Sequence, residues 1–247
     1  LTIEERVKVL NRDVIKYFAM FTMLLNHIAN VFLAPGTALY DIFLNLGYFT
    51  AVTMCYFLVE GYGYTRSKEK YARRLLIFAV ISQVPYSMAF AEEGFMEFRG
   101  FNMIATLFLC YLMILASDEI KKPSLRGGIV TGIMILSIFC DWAVLAPVFT
   151  FLFGRAPDVW VAKRNANIKA AILFGIVTFL GGMGRMPAGR NLFQAFAGLA
   201  GIGLSGVVIL GFYNGRQMRR GRIFSKWFFY VFYPLHLLVI GIIRVTA

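Results

Sequence analysis

The chain has 247 residues, and 59% of them are hydrophobic, including 25 phenylalanines. Since a soluble domain is usually about 45–50% apolar, the composition excludes an ordinary soluble protein and predicts an all-α, polytopic membrane bundle. The formal net charge is +12, which basic loops beside membrane spans explain better than nucleic-acid binding does.

Nine apolar segments can be distinguished, and we predict that they form about nine transmembrane segments of one domain, residues 1–247. The two segments between residues 127 and 153 are shorter than the roughly 20 residues that a span needs, so we expect them to be shallow, tilted or partly re-entrant. The segments are Val14–Phe32, Phe43–Tyr62, Arg74–Phe90, Phe101–Ala116, Gly127–Phe139, Trp142–Phe153, Ile168–Gly184, Leu192–Phe212 and Trp227–Val245.

The basic residues are distributed unevenly between the two sides of such a bundle. Of the 25 basic residues, all but Arg99, Arg185, Arg190 and Arg244 fall in alternate loops. Because cytoplasmic loops carry an excess of Lys and Arg, we predict a cytoplasmic N-terminus in a plasma membrane. Three scattered cysteines and two histidines predict neither a disulfide framework nor a metal site.

Both histidines lie inside apolar segments. An ionisable side chain at membrane depth costs about 2.5–3.5 kcal/mol and is a functional candidate, and a histidine titrates near neutral pH. In a helix, Lys16 and His27 share nearly one face, about 16 Å apart along the axis. A cation at the rim with a base inside is typical of a site for an anionic substrate. The alternative is a snorkelling lysine and a structural histidine.

The last apolar segment combines aromatic, hydroxyl and imidazole groups. Tyr230, Tyr233 and His236 lie at three-residue spacing on one face, and Pro234 cannot donate to the carbonyl of Tyr230, so we expect a kink there. This pattern fits part of a site and equally a satisfied hydrogen-bond network between helices.

Two acids could orient a histidine and raise its basicity. Glu60 ends the second segment, and Asp141 stands between the two short segments; each could instead be an ordinary interfacial acid. Asn102 opens the fourth segment and could face the same cavity as these two acids. Arg73 and Arg74 could hold the phosphates of a nucleotide, although attraction to lipid headgroups explains such charge by default.

Six segments, in the same order along the chain, resemble the TraX family of membrane acetyltransferases. They are Leu24–Phe32, Phe57–Gly61, Tyr71–Pro85, Asn102–Thr106, Cys140–Trp142 and Phe229–His236. The Lys16-to-His27 spacing also resembles the signature of the acyltransferase-three superfamily, with Lys in place of the usual Arg. Asn26 precedes His27 where family members typically show Asp.

The resemblance implies one transmembrane acyltransferase-like domain in a bacterial cytoplasmic membrane. It would move an acetyl or other short acyl group from cytoplasmic acyl-CoA, acetyl-CoA in the first case, to an acceptor amine or hydroxyl, such as a peptide or pilin N-terminus or a cell-surface molecule. The expected partners are acyl-CoA, an unidentified acceptor and the lipid bilayer; no nucleic acid and no metal are expected. The predicted catalytic residues are His27, Asp141, His236 and Tyr233, and the predicted acyl-CoA-binding residues are Lys16, Arg73, Arg74, Glu60 and Asn102.

Two other functions are compatible with the same residues. A proton-coupled transporter or flippase would use His27 and His236 as proton relays. A structural assembly partner would have neither activity.

Overall fold

The computed structural model describes residues 8–246. Within that range the secondary structure is helical, and the only β-type pairings are two isolated bridges. The α-helices are α1 (Arg12–Phe32), α2 (Ala38–Tyr64), α3 (Lys68–Ala89), α4 (Met103–Glu119), α5 (Pro123–Leu136), α6 (Leu145–Arg155), α7 (Trp160–Gly182), α8 (Ala188–Val207) and α9 (Arg222–Thr246).

The all-α prediction is confirmed, and each predicted segment coincides with a helix. Among the described residues, five helices are long and apolar enough to cross a membrane: α1, α2, α7, α8 with its terminal π-turn, and α9. Helix α3 begins with a charged turn, and α4, α5 and α6 are shorter than a full span. The chain therefore has multi-pass membrane character. The structure describes five candidate spans, and the predicted number of nine transmembrane segments is not confirmed.

The first of the two short segments is longer than its sequence pattern predicts. Helix α5 continues into a 3₁₀ turn, Ser137–Phe139, and Phe139 pairs with Phe101 just before α4 begins. Since Pro123 follows α4 by only a few residues, α5 and its 3₁₀ turn run antiparallel to α4 over its whole length. Helix α6 has 11 residues, about 16 Å at 1.5 Å per residue.

The chain divides into two compact units. The first unit extends to Met54 and resumes over Arg155–Lys226; the second comprises Cys55–Gly154 and the chain from Trp227 onward. The divisions fall inside α2 and α9, so each of these helices contributes to both units.

In the first unit, α1 packs on α2 through a residue without a side chain. The Asn26 amide donates to the Leu44 carbonyl at 3.0 Å, and a Cβ on Gly47 would lie 2.1 Å from the Asn26 Cβ. One turn away, the hydroxyls of Thr22 and Thr50 are 2.9 Å apart. Close approach and polar contacts of this kind are typical of helices that associate in membranes.

Helices α7 and α8 of the first unit form an extensive pair. Asn191 occupies the space beside Gly182, and Asn167 packs against Gly206 at the other end of the pair. Three glycines of α8 allow close packing, namely Gly198, Gly201 and Gly206, whereas Gly203 has no atom within 4 Å of a built Cβ among the described residues.

Candidate functional site

The second unit places Asp141 in a turn that is fixed on both sides by backbone hydrogen bonds. The Phe101 amide donates to the Phe139 carbonyl at 2.8 Å, and the Asp141 amide donates to the Phe101 carbonyl at 2.7 Å. Gly100 has φ +107°, and a Cβ there would lie 2.8 Å from the Phe139 oxygen. We call residues 139–144 the Asp141 turn; it lies beside the loop that precedes α4.

The Asp141 turn contains two residues in the left-handed region. Trp142 has φ +57° and Val144 has φ +56°, a conformation that costs about 1–3 kcal/mol each for residues with a Cβ. The Ser137 hydroxyl accepts a hydrogen bond from the Val144 amide at 3.1 Å, and the Trp142 carbonyl accepts from Ala146. Strain of this kind persists where surrounding contacts fix the backbone, and it is concentrated at functional sites.

Asn102 connects the Asp141 turn to α3 and α4. Its Oδ1 accepts from the amides of Ile104 and Ala105, which caps α4, and its Nδ2 donates to the Ala79 carbonyl and to Gln83 Oε1 at 2.7 and 2.9 Å. The residue is completely buried. Its amide group is fully occupied by protein partners, so we infer that Asn102 positions this site rather than contacting acyl-CoA.

Tyr233 of α9 reaches the same point from the other side. Its hydroxyl accepts a hydrogen bond from the Met103 amide at 3.1 Å, at the first residue of α4. His236 lies one turn further along α9, with its ring 5.6 Å from the Tyr233 ring and stacked on Phe232 at 4.8 Å. His236 Nδ1 is 2.8 Å from the Phe232 carbonyl. Helix α9 is continuous through Pro234.

The Asp141 carboxylate has an unusual environment for an acid. It lies outside the helices, and burial raises the pKa of its carboxyl to about 6, partly offset by a hydrogen bond from the Trp142 amide. The carboxylate interacts electrostatically with the hydroxyls of Tyr86 and Tyr233. A carboxyl that titrates near pH 6 can exchange a proton under physiological conditions.

The opposite end of the second unit carries cations among aromatic rings. The Arg74 guanidinium lies 5.4 Å from the centre of the Tyr71 ring and interacts with the Tyr230 hydroxyl. Tyr230 stacks on Phe78 at 4.8 Å. We call Tyr71, Arg74, Phe78 and Tyr230 the Arg74 cluster. Arg73 is exposed beside it.

Two acids, Glu60 and Asp118, lie near the Arg74 cluster end of the second unit and have different surroundings. Glu60 is half-buried in the last turns of α2. Asp118 accepts hydrogen bonds from Lys68 Nζ at 2.6 Å and from the Tyr62 hydroxyl at 2.7 Å. Lys68 also lies 4.5 Å from the centre of the Tyr62 ring. This pairing ties the start of α3 to the end of α4.

The first unit holds the remaining predicted residues, Lys16 and His27, on one continuous helix. Lys16, Met20, Met23 and His27 recur at helical spacing along α1. Met20, Met23 and His27 are 3%, 8% and 8% exposed, whereas Lys16 is half-buried. The His27 side chain is therefore enclosed by protein, and the four residues form what we call the His27 stripe.

The structure thus brings three predicted residues, Asp141, Tyr233 and Asn102, to the N-terminus of α4, with His236 one turn beyond. Sequence reasoning missed Gln83, whose amide also donates to the Gly100 carbonyl at 2.9 Å, and it missed Tyr86. The available signal for Gln83 was an amide side chain in the middle of an apolar segment.

The similarity to known proteins extends over most of the chain. The model of the family described as "TraX protein" matches residues 11–244. A "Probable fimbrial assembly protein FimC, serogroup H1" from Dichelobacter nodosus is 29% identical over 235 residues, covering 90% of this chain and 91% of that protein. No solved structure matches.

Proposed function

The chain belongs to the TraX protein family, and on this premise we propose that it transfers an acyl group from acyl-CoA to an acceptor amine or hydroxyl. The observation that carries the proposal is the His27 stripe, in which a buried imidazole and a half-buried lysine share one face of α1. A base enclosed by protein, with a cation at the end of the same face, suits an anionic substrate whose reactive end goes inward.

In the proposed reaction, His27 takes the proton from the acceptor as its nitrogen or oxygen attacks the thioester carbonyl. A bond forms between the acceptor and the carbonyl carbon, the carbon–sulfur bond breaks, and the leaving thiolate takes up the proton from His27. An oxyanion intermediate needs a hydrogen-bond donor, and in the second unit the hydroxyl of Tyr233 and the imidazole of His236 are groups of that kind. Asp141 is proposed to hold or release a proton near neutral pH.

Each unit offers a cationic approach for the phosphates of coenzyme A. In the first unit it is Lys16. In the second unit it is Arg74 with the exposed Arg73, and the rings of the Arg74 cluster provide faces on which an adenine base can stack. Glu60 remains a predicted contact.

The acceptor is suggested by the relative. Because a Dichelobacter protein that aligns along nearly its whole length is named for fimbrial assembly, we propose that the acceptor is a fimbrial subunit, modified at an amine or hydroxyl.

The test uses purified full-length protein in lipid vesicles with labelled acetyl-CoA, and it measures thiol release and label transfer to fimbrial subunits. We expect His27→Gln to lower turnover by about 10²–10⁴-fold, the usual contribution of a general base. Met23→Leu is the matched control, since it conserves volume on the same buried stripe and is expected to retain activity. Full activity in a folded His27→Gln protein would contradict the assignment.

Two non-enzymatic functions remain as competitors. The name of the Dichelobacter relative favours an assembly factor, which predicts no thiol release from acetyl-CoA but a stable complex with fimbrial subunits. The burial of both His27 and His236 favours a proton-coupled transporter, which predicts pH-driven uptake into vesicles without thiol release.

A further inference from the structure

A cavity in the first unit lies away from every residue assigned above. It has a volume of about 480 Å³ and lies between α7 and α8, with the π-turn Val208–Phe212 at one end. Its size falls within the roughly 300–1,000 Å³ of small-molecule sites. The cavity exists because Gly203 and Gly211 contribute no side chains, and the described residues leave open space where a Cβ would stand on either glycine.

The lining of the cavity is almost entirely apolar, and an arginine stands at one end. Trp160 and Arg164 stand at the first turns of α7, with the guanidinium 5.0 Å from the centre of the indole ring. From there the lining extends along α7 to Ile172, a distance of about 18 Å at 1.5 Å per residue. Ile168 and Ile172 are about half exposed, so the cavity opens on a surface that contacts lipid in a multi-pass membrane protein.

One buried polar atom of the cavity wall also lacks a partner. Asn167 is 5% exposed, and its Oδ1 receives no hydrogen bond from residues 8–246, while its Nδ2 donates to the Lys163 carbonyl at 2.9 Å. Asn167 lies one helical turn from Arg164. A headgroup held at Arg164 would bring a hydroxyl donor to the neighbouring turn of α7, where this acceptor lies.

We propose that this groove binds one anionic phospholipid, with its phosphate on Arg164, its headgroup hydroxyl toward Asn167 and one acyl chain along Ile168, Ile172 and Gly203. Arginine presents several donors to a phosphate, and tryptophan is enriched at the membrane interface, where the headgroup lies. A second protein helix would need a long apolar face, whereas this groove has a cation at one end and ends at the π-turn.

The test measures lipid retention by native mass spectrometry of purified full-length protein, delipidated in detergent and titrated with phosphatidylglycerol or phosphatidylcholine. We expect one phosphatidylglycerol to be retained at concentrations at which phosphatidylcholine is lost. Arg164→Gln should weaken retention about tenfold, as the loss of one charge-assisted hydrogen bond does. Lys169→Gln, five residues further along α7 and outside the lining, should retain the lipid like wild type.

A second pair of variants tests the groove by volume. Gly203→Leu places a side chain in the open space of the cavity and should abolish retention of either lipid. Gly181→Leu, on α7 and also without neighbours within 4 Å among the described residues, lies outside the lining and should retain it. Equal retention of the two lipids would overturn the proposal. It would also be overturned if Gly203→Leu converted a dimer to a monomer, because a second copy would then be the occupant. No acyl donor is present, so the result is independent of the proposed catalysis.

Discussion

Replacing Asn102 with alanine separates a positioning role from a ligand-binding role. The substitution removes the cap on the Ile104 and Ala105 amides, which costs about 1 kcal/mol. It also removes the donors to the Ala79 carbonyl and Gln83 Oε1, at about 1 kcal/mol each. The sum is about 3 kcal/mol of lost stability.

Thermal unfolding of the purified protein in detergent, without any substrate, measures this loss. For a chain of this size, about 3 kcal/mol corresponds to a decrease of roughly 6–12 °C in the melting temperature. Asn165→Ala is the control, because Asn165 is exposed and only accepts a long hydrogen bond, 3.4 Å, from Arg164. An Asn102→Ala protein that melts like wild type but binds acyl-CoA more weakly would refute the positioning role.

Two further predictions concern the Asp141 turn and the α1–α2 contact. Because the pKa of the Asp141 carboxyl is raised to about 6, the folded protein binds a proton more readily than the unfolded chain, so the melting temperature should fall as the pH rises from about 4 to 6. In Asp141→Asn this part of the pH dependence should be absent, and an unchanged profile would contradict the raised pKa. Gly47→Ala should destabilise by about 1–3 kcal/mol, because the new Cβ overlaps the Asn26 Cβ. Gly63→Ala on the same helix, with no neighbour within 4 Å among the described residues, should stabilise by about 0.5–1 kcal/mol, and equal effects of the two changes would contradict the packing.

The helices could be predicted because their signal is local. Long apolar runs separated by charged or glycine-containing loops place each helix, although α3 and α7 begin six and eight residues before their predicted starts at Arg74 and Ile168. The Asn102 cap marks the start of α4. The pairing of Phe139 with Phe101 could not be predicted in the same way, because it joins residues far apart in the chain and leaves no periodic trace in either segment.

Asp141, Asn102 and Tyr233 were predicted from the sequence, whereas Gln83, Tyr86 and the contacts among these residues were not. Asp141 was selected for its position between the two short segments, and the structure adds the left-handed backbone of its turn. Asn102 was selected as a ligand contact, but each polar atom of its amide is bonded to protein. Sequence alone shows that a polar group lies at membrane depth; it does not show whether a neighbouring helix satisfies that group.

Whether a neighbouring helix satisfies a polar group separates packing residues from candidate catalytic residues in this fold. The Asn26 amide donates to a carbonyl of α2, and the hydroxyls of Thr53 and Ser205 bond to each other at 2.8 Å, so these polar groups hold helices together. Asp141 is different because burial raises the pKa of its carboxyl to about 6 and because two residues of its turn are in the left-handed region. Asn26 donates its amide hydrogen to Leu44, which an aspartate carboxylate cannot do, so an aspartate at this position would lose the contact that fixes α1 beside Gly47. The residue preceding His27 thus serves helix packing in this chain.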